Sequence, residues 1–221
     1  MLTFTAVYMV WGRKRMAQMH ADGEKFQASR LAEKMGLQLV EGHPMTNLAG
    51  YDQAAKPDGA EDRVILEGSP GGRATRLYYY HRQTTETGFT GSTVTTWVGA
   101  EVSVAVHAPF PEFEVVQRKP GHLGAELKPK LAAPPHSTGD ANVDAKLLVK
   151  THDPRAAQAL TASLMTPATW GFVHIHGKDG KLTFYATRST ISYLGIADQI
   201  QSVLNAMAVQ LESAAAAHMA G

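Results

Sequence analysis

Hydrophobic and polar positions alternate with a period of two over several stretches of this chain and with a helical period over others. Arg63 to Glu67 and Arg73 to His81 alternate as strands do, and Ser69-Pro70-Gly71-Gly72 between them supplies turn chemistry. Thr93 to Val106 alternates Val, Thr, Trp and Ala and predicts another long strand. Thr84 to Ser92, with Gly88 and Gly91, reads as the hairpin loop before it. Phe113 to Val116 follows Pro109 and Pro111 and is expected as a short edge strand.

Helical periodicity appears on either side of this strand-rich stretch. Met16, Met19, Phe26, Leu31 and Met35 predict a helix over 14–35, ended by Gly36. A short strand over 37–40 and a loop over 42–60 follow. In the second half, residues 146–150 read as a strand. Asp153 is placed as an N-cap with Pro154 at the first helical position, and Ala157, Leu160, Leu164 and Met165 form the helical face. Residues 171–176 and 182–186 flank the hairpin signal Gly177-Lys178-Asp179-Gly180. Ile200, Val203, Leu204, Met207 and Leu211 form the clearest helical stripe, with Ala214 to Ala217 as its frayed end.

These elements predict an α+β fold: antiparallel sheet or sheets, an N-terminal helix, and a long C-terminal amphipathic helix packed on the sheet. Four units are expected. An apolar stub spans 1–13, and a helix with antiparallel strands spans 14–117. A Pro- and Lys-rich linker or crossing segment spans 118–138, and a strand–helix–hairpin–helix unit spans 139–221. The second and fourth units either fold separately or form one domain.

The N-terminus changes this picture. Leu2 to Trp11 carries no charge, and Arg13-Lys14-Arg15 follows almost at once. A secretory signal has the opposite order. Ten helical residues rise only about 15 Å, half of a ~30 Å hydrocarbon core. The stretch therefore reads as the inner end of a truncated transmembrane helix with its basic stop on the cytoplasmic side. A core strand, with Phe4, Ala6, Tyr8 and Val10 on one parity, is the competing reading.

Composition narrows the chemistry. The 221 residues are 44% hydrophobic and 19% charged, and the formal net charge is +1, which gives no general attraction to nucleic acid. Cysteine is absent, which excludes disulfides and thiolate metal sites.

Thr138-Gly139-Asp140, followed by Val143, Asp144, Leu147 and Val149, resembles a T-G-D-x-x-hydrophobic-D motif. That motif occurs in an uncharacterised, mostly bacterial, membrane-anchored family of domains of unknown function. The resemblance extends to the basic stop, to Arg30–Leu37, to Leu66–Gly72 and to the closing strand–helix unit. Val143 stands where a larger aromatic is usual. The resemblance implies membrane anchoring but no reaction and no chemical role for any residue.

Candidate sites are few. Asp140 and Asp144 could share a cation or divide acid and base roles if helical. The glycine before Asp140 and the strand soon after argue instead for a structural turn capping backbone amides. His174 and His176 form H-x-H on a strand, so both rings face one side, with Val173 and Ile175 on the other. They could ligate a metal such as zinc with a third ligand from Asp140, Asp144 or His152. The alternative is two polar residues on a solvent face. Ser69 to Arg73 reads as a turn rather than a phosphate loop, because a strand follows it. Tyr78-Tyr79-Tyr80 with His81 and Arg82 could line a pocket, although alternation sends Tyr79 and its neighbours to opposite faces.

Three functions compete. One is a non-catalytic, membrane-tethered, cytoplasm-facing interaction or scaffold module that binds an unidentified protein and needs no cofactor. The second is a metal-dependent hydrolase using His174 and His176, and the third is a small-ligand-binding domain. Nucleic acid is not an expected partner.

Overall fold

A computed structural model of the chain describes residues 25–41, 45–47, 61–88, 91–118, 130–187 and 195–219. The apolar run 2–11, the basic cluster 13–15, the first half of the expected 14–35 helix (14–24) and loop residues 48–60 lie outside the described residues, as do 119–129. Among the described residues, no helix is long and apolar enough to cross a membrane.

The chain is α+β. In chain order its strands are β1 (Lys25–Gln27), β2 (Gln38–Glu41), β3 (Met45–Asn47), β4 (Glu61–Gly68), β5 (Thr75–Gly88), β6 (Gly91–Ala105), β7 (Phe113–Gln117), β8 (Pro135–His136), β9 (Leu147–Thr151), β10 (His174–Lys178) and β11 (Lys181–Thr187). Its helices are α1 (Ala28–Met35), α2 (Ala141–Lys146), α3 (Pro154–Ala159), α4 (Thr161–Leu164) and α5 (Ala197–Met219). Nine strands form one sheet in the order β2-β4-β5-β6-β11-β10-β7-β9-β8, and every pairing is antiparallel. Strands from before and after residues 118–138 therefore share this sheet. β1 and β3 pair separately.

Pleating divides the sheet residues between two faces. Leu66, Leu77, Tyr79, Val102, Val104, Phe113, Val115, Val149, Ile175, Leu182 and Phe184 share one face through their cross-strand register, and all are buried in the main core. α5 lies across β6 and β11 on that face. Its stripe Ile200, Val203, Leu204, Met207 and Leu211 is buried as the periodicity predicts, and Ala197 and Ala208 join it. The opposite face carries Arg63, Glu67, Arg76, Tyr78, Tyr80, Glu101, Thr183, Tyr185, His174, His176, Glu114 and Lys150.

Several expectations need correction. Residues 25–27 are strand rather than helix, because they pair with β3 inside the expected 42–60 loop. Local periodicity does not register such a distant pairing. The Thr84–Ser92 loop is mostly strand, since the β5–β6 ladder continues to Gly88 and Gly91. β7 is an interior strand between β10 and β9, not an edge. Its prolines precede it, so its own amides remain free to pair on both sides. Residues 141–146 form a short helix, and the strand starts at Leu147. Met165 is 55% exposed rather than on the buried helical face. The alanine run 214–217 is helical, because α5 continues to Met219.

The β10–β11 hairpin is tighter than read. Its turn is Asp179-Gly180 alone, both at positive φ (50° and 71°), as a two-residue type I′ turn requires. Gly177 belongs to the strand. It pairs with Phe113, and a Cβ there would clash with the Phe113 ring.

Candidate functional site

A cluster of buried titratable side chains lies on the back face, where β7 and β10 run side by side. His174 is 3% exposed and Glu114 is fully buried. His174 Nε2 donates to Glu114 Oε1 at 2.7 Å. The backbone N–H of Lys130 donates to the same oxygen at 3.0 Å, and that of Leu131 donates to Oε2 at 2.9 Å. Lys150, the cross-strand neighbour of Glu114 on β9, donates through Nζ to the Leu131 carbonyl. Leu131 of the crossing segment is thus held by an anion at its amide and a cation at its carbonyl.

Burial alone would push the Glu114 carboxyl up. The bonds from His174, Lys130 and Leu131 outweigh it and hold the carboxyl at about 2. Glu114 is therefore an anion at neutral pH with both oxygens engaged. His174 Nδ1 is buried and has no hydrogen-bond partner. The His174 ring lies 5.3 Å from that of Tyr185, whose hydroxyl is pushed up by burial and by the charges of Glu101 and Glu114. Lys130 Nζ sits 5.7 Å from the Tyr185 ring centroid.

His176 lies on the same face, as the H-x-H spacing predicts, but has a different carboxylate. Its Nε2 is 2.9 Å from Glu112 Oε1, which also takes Lys178 Nζ at 3.3 Å. The bond to His176 leads in holding Glu112 below the usual carboxylate range. The face around His174 is not a solvent face, because Lys130 and Leu131 lie over it through their bonds to Glu114, before the chain joins the sheet edge as β8. Among the described residues, no group of three or more His, Cys, Asp or Glu is arranged to hold a metal ion.

The T-G-D turn is built from the same parts. Asp140 caps α2, its Oδ1 accepting from Asn142 N at 2.8 Å and Val143 N at 3.0 Å. Gly139 turns the chain before it at φ 88°. Asp144 reaches back: Oδ1 accepts from the Thr138 amide and hydroxyl, both at 2.9 Å, and Oδ2 accepts from Ser137 Oγ. Burial opposes ionisation of Asp144, and these bonds overcome it to lower its pKa. Val143, Leu147 and Val149 all point inward, each 1% exposed. His152 is exposed, and the structure brings neither it nor the two aspartates into a metal-holding group with His174 and His176.

The other candidates divide. Tyr79 is buried on the helix face, whereas Tyr78 and Tyr80 stack on the back face with centroids 5.7 Å apart and Arg76 over Tyr78. The tyrosine run therefore does not line one pocket. Arg73 of the Gly-rich turn makes two bonds to Glu212 of α5, at 2.6 and 2.9 Å, and a third to the Ala105 carbonyl. No family model, curated protein or solved structure matches the chain.

Sequence reasoning missed Glu112 and Glu114. A signal for Glu114 was present: a lone carboxylate inside Phe113-Glu114-Val115-Val116 needs a partner once that run is an interior strand. Nothing local says that the partner lies 60 residues on.

Proposed function

We propose that this chain is a membrane-tethered module that works by binding, with its folded body on the cytoplasmic side and no catalytic step of its own. The tether rests on the charge-free run Leu2–Trp11 and the basic stop Arg13-Lys14-Arg15, and on the T-G-D resemblance to membrane-anchored domains. One observation carries the non-catalytic part. The carboxylates of Glu114 and Asp144, and the Nε2 of His174, are engaged in holding the chain's own backbone and side chains. A general acid or base exchanges its proton with a substrate and works best with a pKa near the ambient pH. Glu114 sits far below that range. The metal-dependent hydrolase would need His174 and His176 to turn toward one ion. Each Nε2 is instead bonded to a different glutamate.

Flotation of the full-length chain with anionic phospholipid vesicles tests the tether. The wild type is expected to float with the vesicles. Arg13→Glu/Lys14→Glu/Arg15→Glu should weaken partitioning at least 100-fold, since each basic residue near an anionic surface contributes about 1 kcal/mol. Wild-type protein that stays in the dense fraction at low salt would end this reading.

A further inference from the structure

The apolar stripe of α5 does not stop where the sheet stops covering it. Ile200, Leu204 and Met207 close against the core. One and two turns further on, Leu211, Ala214 and Ala215 border a cleft of about 290 Å³. Phe110 and Pro111, from the segment before β7, form a second wall, and Ala156 and Ala159 of α3 form a third. Much of this space exists because four of the lining residues are alanines; a longer apolar side chain at any of them would occupy it.

The cleft holds one charged pair, Asp153 and Arg155, and the two charges are paired with each other. Asp153 Oδ1 accepts from the Arg155 amide at 3.0 Å and from Nε at 3.1 Å, and Oδ2 accepts from Nη2 at 2.9 Å. A charged ligand would lose its hydration here without gaining a free counter-charge. The volume lies at the lower end of the range for small-molecule sites, roughly 300–1,000 Å³. A partner protein would need to bury about 800 Å² on this chain, far more than such a cleft offers. Phe110, 5.9 Å from Phe113 and packed against the core, is a fixed aromatic wall for a ring-shaped guest.

We propose that this cleft binds a free, small, uncharged apolar molecule of about one or two rings. The site is independent of the membrane tether and of the back-face cluster. Ligand-observed NMR on the full-length protein tests it, with indole and toluene as neutral probes and benzoate and benzylammonium as charged ones. Indole or toluene should bind, and both charged probes should bind at least ten-fold more weakly. Ala159→Leu and Ala215→Leu each fill the space and should reduce indole binding at least ten-fold, while the thermal midpoint stays at or above the wild-type value. Phe110→Ala removes a wall without filling the cleft and gives a second route to the same loss. Four results would overturn the proposal: no neutral probe binding at millimolar concentration, binding unchanged in the folded variants, benzoate binding best, or N-acetyl-phenylalanine amide binding more tightly than toluene. The last would place a partner's side chain in the cleft instead of a free molecule.

Discussion

The two faces of the sheet are closed by different means. On the helix face, Leu77, Val102, Val104 and Ile175 share one buried core with Ile200, Leu204 and Met207 of α5, and burial is apolar on both sides. On the back face of β7 and β10, the buried groups are Glu114 and His174, and the cover is the irregular chain at Lys130 and Leu131. Apolar contacts are non-directional, so the helix face tolerates small shifts of its cover. The back face depends on four donors meeting two carboxylate and carbonyl partners at hydrogen-bond distance, and loses stability sharply if one is removed.

The largest expected effect tests that asymmetry directly. Glu114→Ala should destabilise the protein by about 3–5 kcal/mol, because it leaves the buried His174 Nε2–H and two part-buried backbone amides without their acceptor. Urea denaturation measures it. A loss below about 1 kcal/mol would mean that water reaches those donors and that the back face is not a closed layer.

Leu204→Ala probes the other face and should cost about 2–5 kcal/mol from lost transfer energy and the cavity left behind. The two substitutions should differ in kind as well as size. The Leu204 variant should keep the wild-type dependence of stability on pH, because no charge is touched. A loss under about 0.5 kcal/mol would place the α5 stripe in contact with solvent.

These two faces also mark how far the sequence could be read. The stripe Ile200–Leu211, the Asp153-Pro154 helix start and the common face of His174 and His176 follow from local period and capping chemistry, and the structure contains all of them. The Glu114–His174 pair, the β1–β3 pairing and the place of β7 inside the sheet depend on contacts between residues distant in sequence. No window of a dozen residues carries that information. The Thr84–Ser92 loop failed for a related reason: glycines at 88 and 91 signal a turn, and the strength of the flanking ladder, not the glycines, sets how close to the tip the strands continue.

Acid should separate the faces without any substitution. Glu114 is held at about 2 in the folded chain against an ordinary value near 4.5. Below pH ~4.5 the unfolded chain takes up a proton that the folded chain refuses, so stability present at neutral pH drains away as the pH falls toward 2. The loss from this one group is roughly 3 kcal/mol. Glu212, held at about 2 chiefly by its bond to Arg73, acts in the same window with a smaller share because it is 24% exposed. Glu114→Gln should flatten the fall between pH 4.5 and 2 more than Glu212→Gln does. Equal slopes in the wild type and Glu114→Gln would show that the back-face carboxylate is not the group that titrates.

The smallest effect belongs to the T-G-D turn, which uses the back face's chemistry where much of the surface is open. Asp140 accepts two amides that the start of α2 leaves unpaired, yet it is only partly buried, and water can take its place. Asp140→Ala should therefore cost about 0.5–2 kcal/mol, the range for loss of a capping side chain. Asp140→Asn keeps an acceptor oxygen in position and should recover most of that loss. Metal content of the purified protein should be the same in the wild type and both variants. Thermal unfolding of the three proteins, with metal analysis of each, measures both points. If Asp140→Ala proved as damaging as Glu114→Ala, burial would not be what distinguishes the two clamps. If it lowered metal content, the turn would be a cation site and its hydrogen bonds only the empty form of that site.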